Sequence, residues 1–244
     1  MKADPQLQRI LLDVQEIDNH IAVNRRAQAQ IPEVAQRESL ATELTSFGPG
    51  FIAANGALED LRAEIARIED DIKMVDARLA QDIERRDSSA SAKDISGFEH
   101  EIATLKTRKE ALEESELIVM ERLEAAESEL ATISARRDEI TSQISALDSK
   151  IEAEQARLSA EARSLATERA TVTTTVPADL LALYEKQRER YGIGAALLTR
   201  GVSGGSGVAL TASDLDSVRH AAPDDVVLCP DSSCILIRTE ESGL

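Results

Sequence analysis

The chain has 244 residues, with two Tyr, three Phe, no Trp and a formal charge of −17. That charge is spread evenly, −6 over residues 1–94, −7 over 95–170 and −4 over 177–244, so no segment offers the positive field on which non-specific nucleic-acid binding depends. Scarce aromatics argue against the thick core of an ordinary globular domain, and no apolar run approaches the ~18 residues of a membrane-spanning helix.

Asp4-Pro5 predicts a helix start, since Asp caps well and Pro suits the first helical position. The segment opens straight into this helix and shows no signal-peptide plan, which makes a soluble cytoplasmic protein the expectation. Apolar residues follow at alternating steps of three and four: Leu7, Ile10, Val14, Ile17, Ile21. The rhythm weakens through Asn24 and Gln28, and Pro32 is expected to end or kink the helix near Ile31. Phe47-Gly48-Pro49-Gly50 is rich in helix breakers and predicts a second interruption over residues 48–50. The rhythm resumes with Leu58, Leu61, Ile65, Ile68, Ile72, Val75 and Leu79 and fades near Ile83.

Arg86-Asp87-Ser88-Ser89-Ala90-Ser91-Ala92 is small and polar and predicts a reversal. Beyond it the same pattern runs from Ile95 to Leu165, with Lys109, Glu116, Arg137, Glu154 and Glu161 as the polar members. A 3.5-residue period over this span keeps one helix seam against a partner. At about 1.5 Å per residue the second arm would reach on the order of 100 Å, which predicts a rod. Two arms of near-equal length, about 4–86 and 93–170, joined by a short loop, pack antiparallel. Together they make residues 1–170 a coiled-coil hairpin. Equal arms place Ile72 opposite Arg108 and Lys109 near Asp70 and Asp71. They also place Glu116 near Glu64, with Arg62 and Arg67 in reach. Polar groups at such positions are expected to fix register rather than perform chemistry.

The uncharged, β-branched run 171–176 predicts an extended linker. Residues 177–244 then read as a small α+β module: a helix from Pro177 to Tyr191-Gly192, a strand over Ala195–Thr199, a short helix capped by Thr211 and Asp214, and two strands, Val226–Leu228 and Ile235–Ile237. Leu180, Leu183, Tyr184, Leu197, Leu210, Leu215, Val218, Val227, Ile235 and Ile237 are its candidate core. That is thin for so small a unit, so support from the coiled coil is expected.

The chain resembles a bacterial family that joins a long antiparallel coiled-coil hairpin to a C-terminal four-cysteine zinc ribbon. The likeness lies in Ile31-Pro32-Glu33, Val119-Met120-Glu121, the stretch Val176-Pro177-Ala178-Asp179-Leu180-Leu181-Ala182-Leu183-Tyr184-Glu185, and Ile235-Leu236-Ile237-Arg238. It implies a zinc-ribbon-like head. Members are commonly described as nucleic-acid binders or as associates of secretion, flagellar or alternative-sigma-factor proteins. The ligand positions depart from the pattern. Ser203 and Ser206 occupy the first knuckle, Cys229 and Ser232 the second, and Cys234 falls two residues beyond. Structural zinc requires four ligands in tetrahedral array; even with Cys234 and His220 moved in, this chain offers three. The expectation is a degenerate, metal-free ribbon without cofactor, its cysteines small buried or half-buried residues of a β-hairpin; a Cys229–Cys234 disulfide is geometrically conceivable but disfavoured in a reducing cytoplasm.

No enzyme motif is present. Gly201–Gly207 is Gly-rich but lacks the Lys-Ser/Thr of a phosphate-binding loop. His20, His100 and His220 are far apart in sequence, and an antiparallel hairpin keeps the first two from converging. The sequence therefore reads as mainly α and non-enzymatic: a scaffold or adaptor for a protein partner that the sequence does not identify. The exposed faces of a two-helix hairpin leave room for a homodimer. The second reading, a nucleic-acid-binding zinc-ribbon-type regulator, follows from the resemblance alone.

Overall fold

The computed structural model describes residues 1–244. The secondary structure runs α1 (Pro5–Ala29), α2 (Pro32–Ser88), α3 (Ala92–Thr173), α4 (Ala178–Tyr191), β1 (Ala195–Thr199), β2 (Val202–Ser203), α5 (Ala212–His220), β3 (Val227–Leu228), β4 (Ile235–Ile237) and a closing 3-10 turn, Glu240–Ser242. The chain forms two compact units, Met1–Pro32 with Lys150–Leu244, and Glu33–Ser149.

In the second unit α2 and α3 lie antiparallel, linked across by Arg78–Glu101 (3.1 Å), Lys109–Asp76 (2.7 Å), Arg62–Glu127 (3.0 Å) and Arg136–Glu43 (2.8 Å). The burial follows the heptads. Along α3 every seam position from Ile95 to Leu158 is buried or half-buried, and Glu161 alone is exposed. Equal-arm counting locates partners only to within a turn or two. Lys109 reaches Asp76 instead of Asp70 or Asp71, and Glu64 is approached by Arg122 at 3.8 Å. Interlocking side chains set the register, and a lysine stem alone spans more than a helical turn of about 5.4 Å.

The interruption expected at Gly48–Gly50 does not occur, because α2 passes through Pro49. The seam explains this. Leu40, Leu44, Phe47, Phe51 and Ala54 continue the three–four rhythm as half-buried residues on one face. Tertiary packing thus overrides the local cost of Gly-Pro-Gly. Opposite Phe51 lies the polar seam residue Arg137, its guanidinium carbon 4.3 Å from the ring centre, so the cation is held against an aromatic face. Nearer the loop, Asp82 is fully buried, with one carboxylate oxygen accepting from Arg78 Nε at 3.0 Å and the other without a hydrogen bond, 3.9 Å from Arg85 Nη1.

The other unit holds the small sheet, with strand order β2-β1-β4-β3. Its central strands β1 and β4 are parallel, pairing Ala195 with Ile235 and Leu197 with Ile237, while the outer pairs are antiparallel. One face carries Ala195, Ile235 and Ile237 against Leu180 and Tyr184 of α4 and Leu11 and Val14 of α1. The other carries Ala196, Leu198, Leu236, Cys229 and Cys234 against Leu210 and Val218. The thin core is therefore completed by α1. The linker expected over 171–176 shrinks to a turn, since α3 continues to Thr173 and Val176 is buried in the first cluster. Threonine hydroxyls there bond back to carbonyls of the preceding turn, as Thr171 does to Thr167 (3.0 Å), which lets a β-branched run end a helix. Met1–Ala3 adds a bridge beside β3, with Ala3 N–H donating to the Asp224 carbonyl (2.8 Å) and Val226 N–H to that of Met1 (3.0 Å). Arg238 explains its place after β4: its guanidinium donates to the carbonyls of Ala221 (2.8 Å), Ala222 (2.6 Å) and Asp225 (2.7 Å), closing the C-terminal end of α5.

Candidate functional site

Two polar clusters stand out in the sheet-bearing unit. The first lies where two tight turns, one after β2 and one after β3, face each other. After β2 the chain turns through Gly204 and Gly205, with Gly207 N–H donating to the Ser203 carbonyl (2.8 Å) and Gly204 N–H to that of Leu197 (2.9 Å). After β3, Cys229 N–H donates to the Cys234 carbonyl (2.8 Å), and Ser233 takes a left-handed conformation with φ +58°. These turns gather Ser203, Cys229, Ser232 and Cys234. Ser232 Oγ donates to Cys234 Sγ at 3.2 Å, and the hydroxyls of Ser203 and Ser232 lie within reach of both thiols.

Ser203 and Cys234 are fully buried and Cys229 nearly so. Burial raises the Cys234 thiol, and the neighbouring Cys229 adds to this, outweighing the hydroxyls. Burial acts on Cys229 too, but hydrogen bonds from Ser203 and from Ser232 overcome it and lower that thiol below its ordinary value. Ser206 does not join the group; it is half-buried and accepts from Val208 N–H at 3.3 Å. His220 is exposed at the end of α5, with Nδ1 2.8 Å from the Asp216 carbonyl.

Zinc fits these residues poorly. Two thiols and two neutral hydroxyls are not the Cys/His set that structural zinc takes, and no group of three or more His, Cys, Asp or Glu is placed to hold a metal ion. The turns also close on one another. A β-carbon at Gly205 would lie 2.5 Å from Cys234 Sγ and 2.8 Å from Ser232 Oγ, so glycine is required for the two loops to approach.

The second cluster escapes a reading of the sequence. Asp18, on α1, accepts from Arg169 Nε (2.7 Å) and Nη2 (3.1 Å) and from the Tyr184 hydroxyl (2.7 Å), with Arg188 Nε at 3.3 Å. Gln15, one turn earlier, accepts from the backbone N–H of Gly194 (2.7 Å) and Ala195 (3.3 Å). Glu185 shares Arg169 and Arg188. The cluster ties α1, α3, α4 and the start of β1 together. The hydrogen bonds from Arg169 to Asp18 and then to Glu185 raise its guanidinium above the ordinary arginine value. Tyr184 is pushed up first by burial and then by Asp18. The available signal was the spacing of Gln8, Leu11, Gln15 and Asp18, a second buried stripe on α1 beside its coiled-coil seam. Three of its four members are polar, so it reads as a solvated face.

Comparison with known proteins agrees with this architecture. The CT398-like coiled coil hairpin domain matches residues 14–192. Uncharacterised proteins from two strains of Mycobacterium tuberculosis are 27% identical over 241 residues, covering 98% of each chain. A solved protein of Mycobacterium smegmatis is 31% identical, with a TM-score of 0.76, covering 98% of this chain and 100% of its own. CT398 of Chlamydia trachomatis, 18% identical over 95% of this chain and 97% of its own, shares the fold at a TM-score of 0.56. With two helices closed on a heptad seam and a domain match over most of its length, this chain belongs to the CT398-like coiled-coil hairpin family.

Proposed function

We infer that the protein is a non-enzymatic scaffold or adaptor of the cytoplasm that binds other proteins through its coiled-coil hairpin and its metal-free sheet module. The observation that carries this is the division of each long helix. A narrow seam is buried and the rest of the surface is presented to solvent, which is the design of a surface for partners rather than of a cleft for a substrate. No helix is long and apolar enough to cross a membrane. The even acidic charge speaks against the second reading, a nucleic-acid regulator, because phosphate neutralisation supplies most non-specific affinity.

The test uses the intact chain. Removing residues 177–244 would strip Leu180, Tyr184, Ile235 and Ile237 from Leu11 and Val14 and expose that core. Micromolar protein with random-sequence duplex DNA and RNA, at a physiological ionic strength of about 0.15 M, should give no shift, while cross-linking in a cell extract should join the chain to protein. A salt-sensitive shift of either nucleic acid would overturn the scaffold reading in favour of the regulator.

A further inference from the structure

One turn of α3 is apolar on every side. Leu117-Ile118-Val119-Met120 places only Val119 in the seam, 4% exposed, while Leu117, Ile118 and Met120 are 61%, 53% and 49% exposed. An apolar band of this kind on an otherwise charged helix marks a contact surface. Beside it runs a groove of about 470 Å³ between α2 and α3, floored by Ile65, Leu117, Met120 and Leu123. Its rim is acidic. Glu127 is engaged by Arg62 at 3.0 Å, but Glu69, Glu116, Glu121 and Glu124 form no salt bridge within the chain.

We propose that this groove docks an amphipathic helix of a partner protein, with Leu- or Met-type side chains on one face and Lys or Arg flanking them. The proposal rests on the scaffold reading and names its surface and the chemistry of its partner. Two packed helices leave a groove into which a third lays residues at i, i+3/i+4 and i+7, and Leu117, Met120 and Leu123, at i, i+3 and i+6, line it along about two turns of α3. The unpaired carboxylates specify cationic flanks, which add on-rate and selectivity to apolar contact. A second copy of this chain fits less well, since it brings the same carboxylates and another −17. An anionic lipid surface is repelled by the rim for the same reason.

The probe is a fluorescent synthetic helix of about 18 residues, five turns, built of Leu and Lys in amphipathic spacing. Its binding to the full chain is followed by anisotropy at about 0.15 M salt, where surface charge alone is largely screened. Binding should weaken at least tenfold in Leu117→Ser/Met120→Ser and severalfold in Glu121→Gln/Glu124→Gln. It should be unchanged in Ile52→Ser/Met74→Ser, which alters large apolar residues on α2 that are more exposed still. A peptide with Glu in place of Lys should not bind. All these positions are on the surface, so far-UV circular dichroism of the variants should match the parent.

Equal affinity across the variants would mean general attraction to an acidic chain and would overturn the site. So would a self-associated chain that Leu117→Ser/Met120→Ser converts to monomer, because the occupant would then be a second copy. Neither result touches the scaffold reading, which fails only if the intact chain binds random nucleic acid.

Discussion

Replacing Asp18 by alanine tests whether the buried polar cluster holds the sheet module on α1. The Asp18 side chain is 4% exposed and takes hydrogen bonds from Arg169 and Tyr184, both themselves largely enclosed. Breaking a buried pair by removing one member costs about 3–5 kcal/mol, because the other is left desolvated and alone. Arg169 keeps Glu185 and is 23% exposed, so the lower end applies, about 3 kcal/mol. With a urea m-value of about 1–3 kcal/mol/M, the midpoint should fall by about 1–3 M. Tyrosine fluorescence follows this unit selectively, because the two tyrosines are Tyr184 and Tyr191 and there is no Trp. Asp18→Asn, which keeps the shape and an acceptor but not the charge, should lie between. Asp13→Ala, exposed on the same helix, should shift stability by no more than about 0.5 kcal/mol. A loss for Asp18→Ala below about 1 kcal/mol would show that the module is held by Leu11 and Val14 alone, and the reasoning would fail.

Tyr184→Phe should cost about 1–2 kcal/mol, as the Asp18 carboxylate loses a buried donor. Because the folded state raises the Tyr184 phenol, its contribution is complete below the ordinary tyrosine value of about 10 and is lost as pH rises beyond it; stability measured by circular dichroism above pH ~10 should fall more steeply in the parent than in Tyr184→Phe. Pro49→Ala should stabilise the hairpin by about 3 kcal/mol, since the helix already runs through that position and gains an N–H and loses a clash; an unchanged or lower urea midpoint at 222 nm would mean that the proline fits a bend of its own. The double change Ser203→Cys and Ser232→Cys, which with Cys229 and Cys234 gathers four thiols, should bring about one zinc per chain by elemental analysis and a melting temperature that drops with a strong chelator, whereas the parent should melt alike with and without chelator; stoichiometric zinc in the parent would overturn the metal-free reading.

The heptads from Ile95 to Leu165 determine by themselves that a long helix buries one seam, because 3.5-residue periodicity acts through neighbours on the same helix and needs no distant information. Breakers are also local, yet their weight is not. Pro32 opens a new helix after Ala29, while Pro49 is carried inside one whose half-buried seam continues through Phe47 and Phe51. The resemblance alone suggested that Ser203, Cys229 and Ser232 come together. That Cys234 rather than Ser206 joins Ser203, Cys229 and Ser232 depends on the left-handed turn at Ser233 and on the approach of Gly205. Asp18 was least legible of all. A carboxylate on a helix face has the same sequence signature in water as against Arg169 and Tyr184, and those partners lie more than 150 residues further along the chain. Local pattern determined which face of each helix is apolar; only the tertiary fold decided which polar face is buried, because that depends on what the distant chain brings to cover it.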